Sequence, residues 1–241
     1  MTQDGRAFLE PCQRILEESE RAFRNLDSVQ RSPEGTIRLT LSYNLALSFV
    51  IDRLAKFRTI HPRIELDVVV EDAFLNVIEE RIDVALRTGW NTDSGLYAVT
   101  LASFRMILCL APALLADHAP PKRPDDLLTV PWISSTNLAN PDRLVLAHGS
   151  GQRRTIKLVP AIKTNSGIAT RAFVERGAGL GLLPDYAAAE GLASGALIHV
   201  LPDWRVRDGA IVAVFPHRSP MPRRTRVLID FLKAEFKQRP W

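Results

Sequence analysis

Residues 163–184, KTNSGIATRAFVERGAGLGLLP, decide how the rest of the sequence is read. The polar trio Thr164-Asn165-Ser166 offers side chains that accept from free amides and so start a helix. Ile168, Ala169, Ala172 and Phe173 then return at helical spacing. Gly177 and Gly179 come where a helix needs a left-handed exit, and Leu180, Leu182 and Leu183 form a short buried strand stopped by Pro184. The glycines do not form a dinucleotide loop. Such a loop lies between a strand and the start of a helix, whereas these come after the helix with G-x-G-x-G spacing. A ligand on this element would sit at its other end, near Asn165 and Ser166.

Working backward, residues 36–89 alternate strand and helix. Thr36–Ser42 has strand alternation, Tyr43-Asn44 makes a turn, and Leu47, Val50, Ile51, Leu54 and Phe57 mark one helix face ending before Pro62. Ile64–Val70 is a second strand, Phe74–Glu80 a short helix, and Asp83–Arg87 a third strand closed by Thr88-Gly89. This order predicts a parallel sheet with right-handed crossovers, which takes ligands beyond the carboxyl ends of its strands. Two strands come next, 96–101 and 104–110, then a proline-rich, weakly helical stretch over 112–128. Strands are expected over 130–135, 143–147, 154–158, 161–163, 196–201 and 210–215, with a hairpin turn at His148–Gly151. Helices are expected over 186–192 and 224–237. Two α/β lobes with a cleft between them result.

Ahead of these lobes, Phe8, Cys12, Ile15, Ser19, Ala22, Leu26 and Val29 recur at 4-3-4-3-4-3 spacing. That seam suits a helix packed on a partner helix, with Pro11 marking its start or a kink. Ser32-Pro33-Glu34-Gly35 separates it from the lobes.

Composition sets outer bounds. A hydrophobic content of 46% and a charged content of 24% over 241 residues describe a globular chain. No apolar run reaches membrane-span length, and the first residues lack signal-peptide features, so a cytoplasmic protein is expected, with no membrane partner. Cys12 and Cys109 read as unpaired thiols, and the five histidines show no ligand spacing, so neither metal nor cofactor is expected. The net charge of +4 is modest, with Arg223, Arg224 and Arg226 clustered near the end. No nucleophile–base set stands out and G-x-S-x-G is absent, which argues against an enzyme.

Together these residues resemble the C-terminal part of LysR-type transcriptional regulators over nearly the whole chain. Residues 2–9 are similar to the start of the family's linker helix. FRTIHP (57–62) before Ile64–Val70, and Asp83–Arg87 with Gly89, resemble its first effector lobe. Gly177–Pro184, Gly195-Ala196-Leu197 and Asp203-Trp204 resemble the second, and Ala213–Pro216 with the final helix the return. The resemblance implies a two-lobed, periplasmic-binding-protein-like fold of type 2 with an N-terminal linker helix. Its expected division is 1–32 linker and dimerisation helix, 36–108 with 213–241 lobe I, and 109–212 lobe II. It further implies a small effector in the cleft and a homodimer or tetramer. DNA binding would run through a winged helix that lies outside this sequence. A solute-binding protein of a transport system would share the fold and is the alternative.

Site residues are read from the strand ends and the resemblance together. Ser42, Tyr43 and Asn44 stand at one helix start, Asn165 and Ser166 at the other. Thr88 and Gly89 close the third strand, Arg87 offers a fork for a carboxylate, and Ser134 faces the cleft from the second lobe. Two helix starts with free amides favour a small anion, a carboxylate above all.

Overall fold

The computed structural model describes residues 2, 8–9, 11–13, 16–18, 33–73, 77–89, 97–206, 208–216 and 221–238. Strand β1 (Gly35–Leu41) is an interior strand of the first sheet, and its Ile37, Leu39, Thr40 and Leu41 are all buried. Such burial on both faces explains why the polar–apolar alternation does not mark a solvent face here. β1 pairs in parallel with β2 (Ile64–Val70) and β3 (Val84–Thr88). Far along the chain, β13 (Gly209–Phe215) pairs antiparallel with both β3 and β4 (Tyr97–Phe104), giving the order β2-β1-β3-β13-β4.

A continuous helix, α1, leads on from β1 in three segments: Tyr43–Leu45, a π-helical Ala46–Val50, and Ile51–Ile60. The π segment adds a residue to its turn and so rotates the helix before it relative to the helix after it. Leu45, Ala46, Phe49, Val50, Leu54 and Phe57 therefore face the core, whereas Leu47 and Ile51 stay 67% and 45% exposed. The five residues expected on one helix face are thus divided, Val50, Leu54 and Phe57 in the core and Leu47 and Ile51 at the surface. The short helix expected over 74–80 is a turn over 77–81, and 74–76 lie outside the described residues.

The second sheet has the order β11-β5-β10-β6-β9, formed by β5 (Met106–Leu110), β6 (Trp132–Ser135), β9 (Pro160–Thr164), β10 (Leu180–Pro184) and β11 (Ile198–Val200). Helix α2 (Gly167–Glu175) connects β9 to β10, and α3 (Asp185–Ser194) connects β10 to β11. The proline-rich stretch expected to be weakly helical forms 3-10 turns at Pro112–Ala116 and Pro124–Thr129. A third, antiparallel sheet joins β7 (Arg143–His148), β8 (Arg153–Lys157) and β12 (Trp204–Arg205), and β12 was not expected from its two residues. Helix α4 (Arg223–Lys237) returns to the first lobe, burying Leu228, Ile229, Leu232 and Phe236.

Sheet membership puts the crossings at Arg105, between β4 and β5, and between β12 and β13. Residues 106–108 thus belong to the second sheet and 209–212 to the first, against the 108/109 and 212/213 divisions expected. The crossings are tight. Arg105 carbonyl accepts from Asp185 N at 2.8 Å, and a Cβ on Gly209 would lie 2.0 Å from Phe104 Cζ. Tyr186, on α3, packs edge-on against Phe49 and Phe104 at 5.5 and 5.2 Å, so a second-lobe side chain completes the first lobe's core.

At the N-terminus the backbone is helical at 8–9, 11–13 and 16–18, and Pro11 lies among these residues rather than ahead of them. Phe8 and Cys12 are the only described members of the seam; Ile15, Ser19, Ala22, Leu26 and Val29 lie outside the described residues.

Candidate functional site

Both lobes present the same local device: a strand, a serine, then a helix. In the first, β1 ends at Leu41, and Ser42 Oγ accepts from Leu45 N at 3.4 Å. In the second, β9 ends at Thr164, and Ser166 Oγ accepts from Ala169 N at 3.4 Å. Serine in extended backbone at these positions is what a helix start requires. The two starts meet. A Cβ on Gly167 would lie 3.0 Å from Asn44 Nδ2 and 3.3 Å from Asn44 Cγ, so the Asn44 amide rests on the first turn of α2. Beside this contact a hollow of about 180 Å³ runs between α1 and α2, lined by Asn44, Leu47, Ser48, Ile168, Arg171, Ala172 and Glu175. It is smaller than a typical ligand pocket of about 300 Å³ or more.

The amide inventory differs between the two starts. Tyr43 N donates to Asp72 Oδ1 at 3.0 Å, so the first donor of α1 is already matched to a carboxylate. Asn44 N has no acceptor among the described residues. On α2 both Gly167 N and Ile168 N lack one, while Ser166 N donates to Thr164 Oγ1 at 3.2 Å. The partial positive charge of a helix start is thus less countered on the second lobe than on the first.

The remaining expected residues take varied places. Arg87 is buried, and its guanidinium donates to Glu71 O (3.0 Å), Thr40 Oγ1 (3.1 Å) and Ala73 O (3.3 Å). Burial lowers its pKa, opposed by Asp72 and Glu71. These bonds tie β3 to the 71–73 turn, whose Asp72 caps α1. Thr88 ends β3 and is half-buried, and Gly89 N donates to Ala210 O at 3.1 Å. Ser134 is fully buried and donates to Asp142 Oδ1 at 2.6 Å. Asn165 is exposed, and its carbonyl accepts from Asn137 Nδ2. Ser42, Asn44, Asn165 and Ser166 therefore come together around the two helix starts; Arg87 and Ser134 stand behind that surface, bonded to their own lobes.

Three residues absent from the sequence reading belong here. Thr136 N donates to Thr164 O at 2.8 Å, and Asn137 laces the same turn to Asn165. A polar pair directly after the β6 strand was the available signal. Arg171 lines the hollow, but its guanidinium bonds Glu175 Oε1 (2.6 Å) and Glu190 Oε2 (2.9 Å). No cluster of potential metal ligands occurs among the described residues, and none of their helices is long and apolar enough to cross a membrane.

Known proteins are similar to this chain over most of its length. A family model described as the LysR substrate binding domain matches residues 30–237. The HTH-type transcriptional regulator PtxR of Pseudomonas aeruginosa is 30% identical over all 241 residues, which span 77% of that protein. DmlR of Escherichia coli, also an HTH-type transcriptional regulator, is 26% identical over 99% of this chain and 77% of its own length. Among solved structures, CrgA from Neisseria meningitidis, a LysR-type transcriptional regulator, superimposes with a TM-score of 0.76 at 28% identity, covering 97% of this chain and 79% of that one. Its regulatory domain alone gives 0.75 at 27% identity, covering 84% and 99%.

Proposed function

Because this chain belongs to the LysR substrate-binding domain family, and so is the regulatory domain of a LysR-type transcriptional regulator, we propose that it senses a small anionic effector, most simply a carboxylate, between its lobes. The observation that carries this reading is the meeting of two serine-capped helix starts at Asn44 and Gly167. Free amides at Asn44, Gly167 and Ile168, with the hydroxyls of Ser42 and Ser166, supply donors for one carboxylate. Tyr43, Thr88, Gly89 and Asn165 complete the lip. Arg87 and Ser134 act from behind, by fixing the strand ends that carry the donors.

Effector binding changes the relation of the lobes, and the oligomer transmits that change. Phe8 at the start of the heptad stretch, and Leu47 and Ile51 of α1, are exposed and supply apolar surface for a homodimer or tetramer. Sequence-specific DNA contact belongs to a winged helix outside this sequence, and the protein works in the cytoplasm, where its DNA is. It turns nothing over, in keeping with relatives that are transcriptional regulators.

A thermal-shift screen of small carboxylates against their neutral amides tests this reading. A carboxylate at a hundredfold excess over its Kd should stabilise the chain by about 2.7 kcal/mol. Amides that stabilise as well as acids would refute an anion site.

A further inference from the structure

The three-stranded sheet of the second lobe carries a face that the effector reading does not use. Register places Arg143 opposite Lys157, Val145 opposite Thr155, and Ala147 opposite both Arg153 and Arg205. Paired residues share a face, and the other face is committed to the core through Leu144, Leu146 and Ile156. The outer face is therefore three rows: a cationic pair, a Val–Thr pair, and an alanine flanked by two arginines. All four cations are exposed, and none makes an ion pair or side-chain hydrogen bond with a described residue. Like charges directly opposite one another, as at Arg143 and Lys157, destabilise a sheet. Fold stability gives no reason for them.

From these observations the geometry points to a docking face for the phosphate backbone of nucleic acid, bound without regard to sequence. The spacing fits an extended polyanion. Arg153 and Lys157, four positions apart on β8, put the two cationic rows about 13 Å from one another, and strands lie about 4.8 Å apart. Duplex DNA offers a charge for every ~1.7 Å of its axis. A protein partner fits less well. Interface cores are depleted of charge and rich in large apolar groups, and this face offers only Val145, 50% exposed, among four cations. Protein–DNA interfaces are polar and strongly positive. The contact adds to sequence recognition by a winged helix and does not replace it.

The test is fluorescence anisotropy of this whole chain with a labelled 20-base-pair duplex of arbitrary sequence, between 50 and 200 mM salt. Four phosphate contacts predict a log–log salt slope of about −3.6, which is a fall of roughly 150-fold in affinity over that range. Arg143→Gln with Lys157→Gln, and separately Arg153→Gln with Arg205→Gln, should each halve the slope and leave a fall of about 12-fold. Arg223→Gln with Arg226→Gln on α4 should leave the slope near that of the unaltered chain. Matching melting temperatures confirm that the variants are folded. Three results would overturn the assignment: no duplex binding at 50 mM salt, sheet variants with an unchanged slope, or the whole slope lost in the α4 variant. Polyglutamate that competes as well as duplex of equal charge would also overturn it, and would give the face to an acidic protein.

Discussion

Replacing Arg87 by methionine separates two roles that a buried arginine near a cleft can have. Methionine keeps the length and apolar stem but removes, among bonds to described residues, those to Thr40 Oγ1, Glu71 O and Ala73 O. Thr40 is fully buried, so its hydroxyl has no solvent to turn to, a loss of about 1–3 kcal/mol. The two carbonyls lie on a turn that water reaches, and losing charged donors there costs about 1 kcal/mol more in sum. Release from burying a charge offsets part of this. The balance is a destabilisation of about 2–3 kcal/mol, or roughly 4–12 °C in Tm for a chain of this size. Urea unfolding gives the stability, and calorimetric titration with a carboxylate found by the thermal screen gives the affinity. Because Asp72 sits in the turn that Arg87 holds, effector affinity should fall only a few-fold, through loosening of the α1 start. A variant within 0.5 kcal/mol of the parent chain that loses effector binding a hundredfold would refute this reasoning. It would put the guanidinium on the ligand.

Other perturbations read other parts of the molecule. Ser166→Ala removes one neutral cap and one candidate ligand donor, and should weaken carboxylate binding about five-fold, measured by calorimetry. Gly209→Ala places a methyl on Phe104 at the lobe crossing and should cost about 1–3 kcal/mol in urea unfolding; no loss would mean the crossing is loosely packed. Leu47→Glu together with Ile51→Glu should shift the oligomer toward monomer in light scattering, while Glu79→Lys, exposed in the 77–81 turn, should not. The Cys109 thiol is pushed up to about 12 by burial. Its unfolded counterpart ionises near pH 8.5, so stability present below that pH is lost as pH rises toward 12, by at most about 1.4 kcal/mol per unit. Cys109→Ala should flatten the decline measured by urea unfolding between pH 9 and 10.5; an unchanged slope would exclude the thiol as its source.

How much was legible depended on whether local chemistry or long-range packing decided a feature. The stretch 163–184 folds as read, because a serine cap, a helical stripe and a left-handed glycine each act within a few residues: α2 begins after Ser166, Gly177 has φ 74°, and β10 begins at Leu180. β1, β2 and β3 were equally local. The π segment in α1 was not legible. Leu47 and Ile51 fit a regular helical stripe with Leu54, and only packing of Phe49 against Tyr186 and Phe236, from distant parts of the chain, favours the alternative phase. Arg87 illustrates the same limit at the candidate site. Its place at a strand end was readable, but its direction depended on carbonyls from the 71–73 turn.

The π segment also links the cleft to the surface proposed for assembly. Asn44, which meets α2, and Leu47 and Ile51, which face outward, lie on either side of or within residues 46–50. Arg53 steadies the segment by donating to Phe49 O at 3.0 Å, with its guanidinium 5.7 Å from the Phe49 ring centroid. Phe49 in turn touches Tyr186, which the second lobe supplies. Phe49 thus meets the π segment, the second lobe's α3 and the first-lobe core together. A movement of the second lobe that displaces Tyr186 cannot leave Phe49 in place. Because packed interiors rearrange between discrete arrangements rather than deform smoothly, the phase of α1 would change with it, and with the phase the direction of Leu47. For the coupling proposed above, the contact of Tyr186 with Phe49 and the extra residue of one helical turn offer a physical path from effector to oligomer.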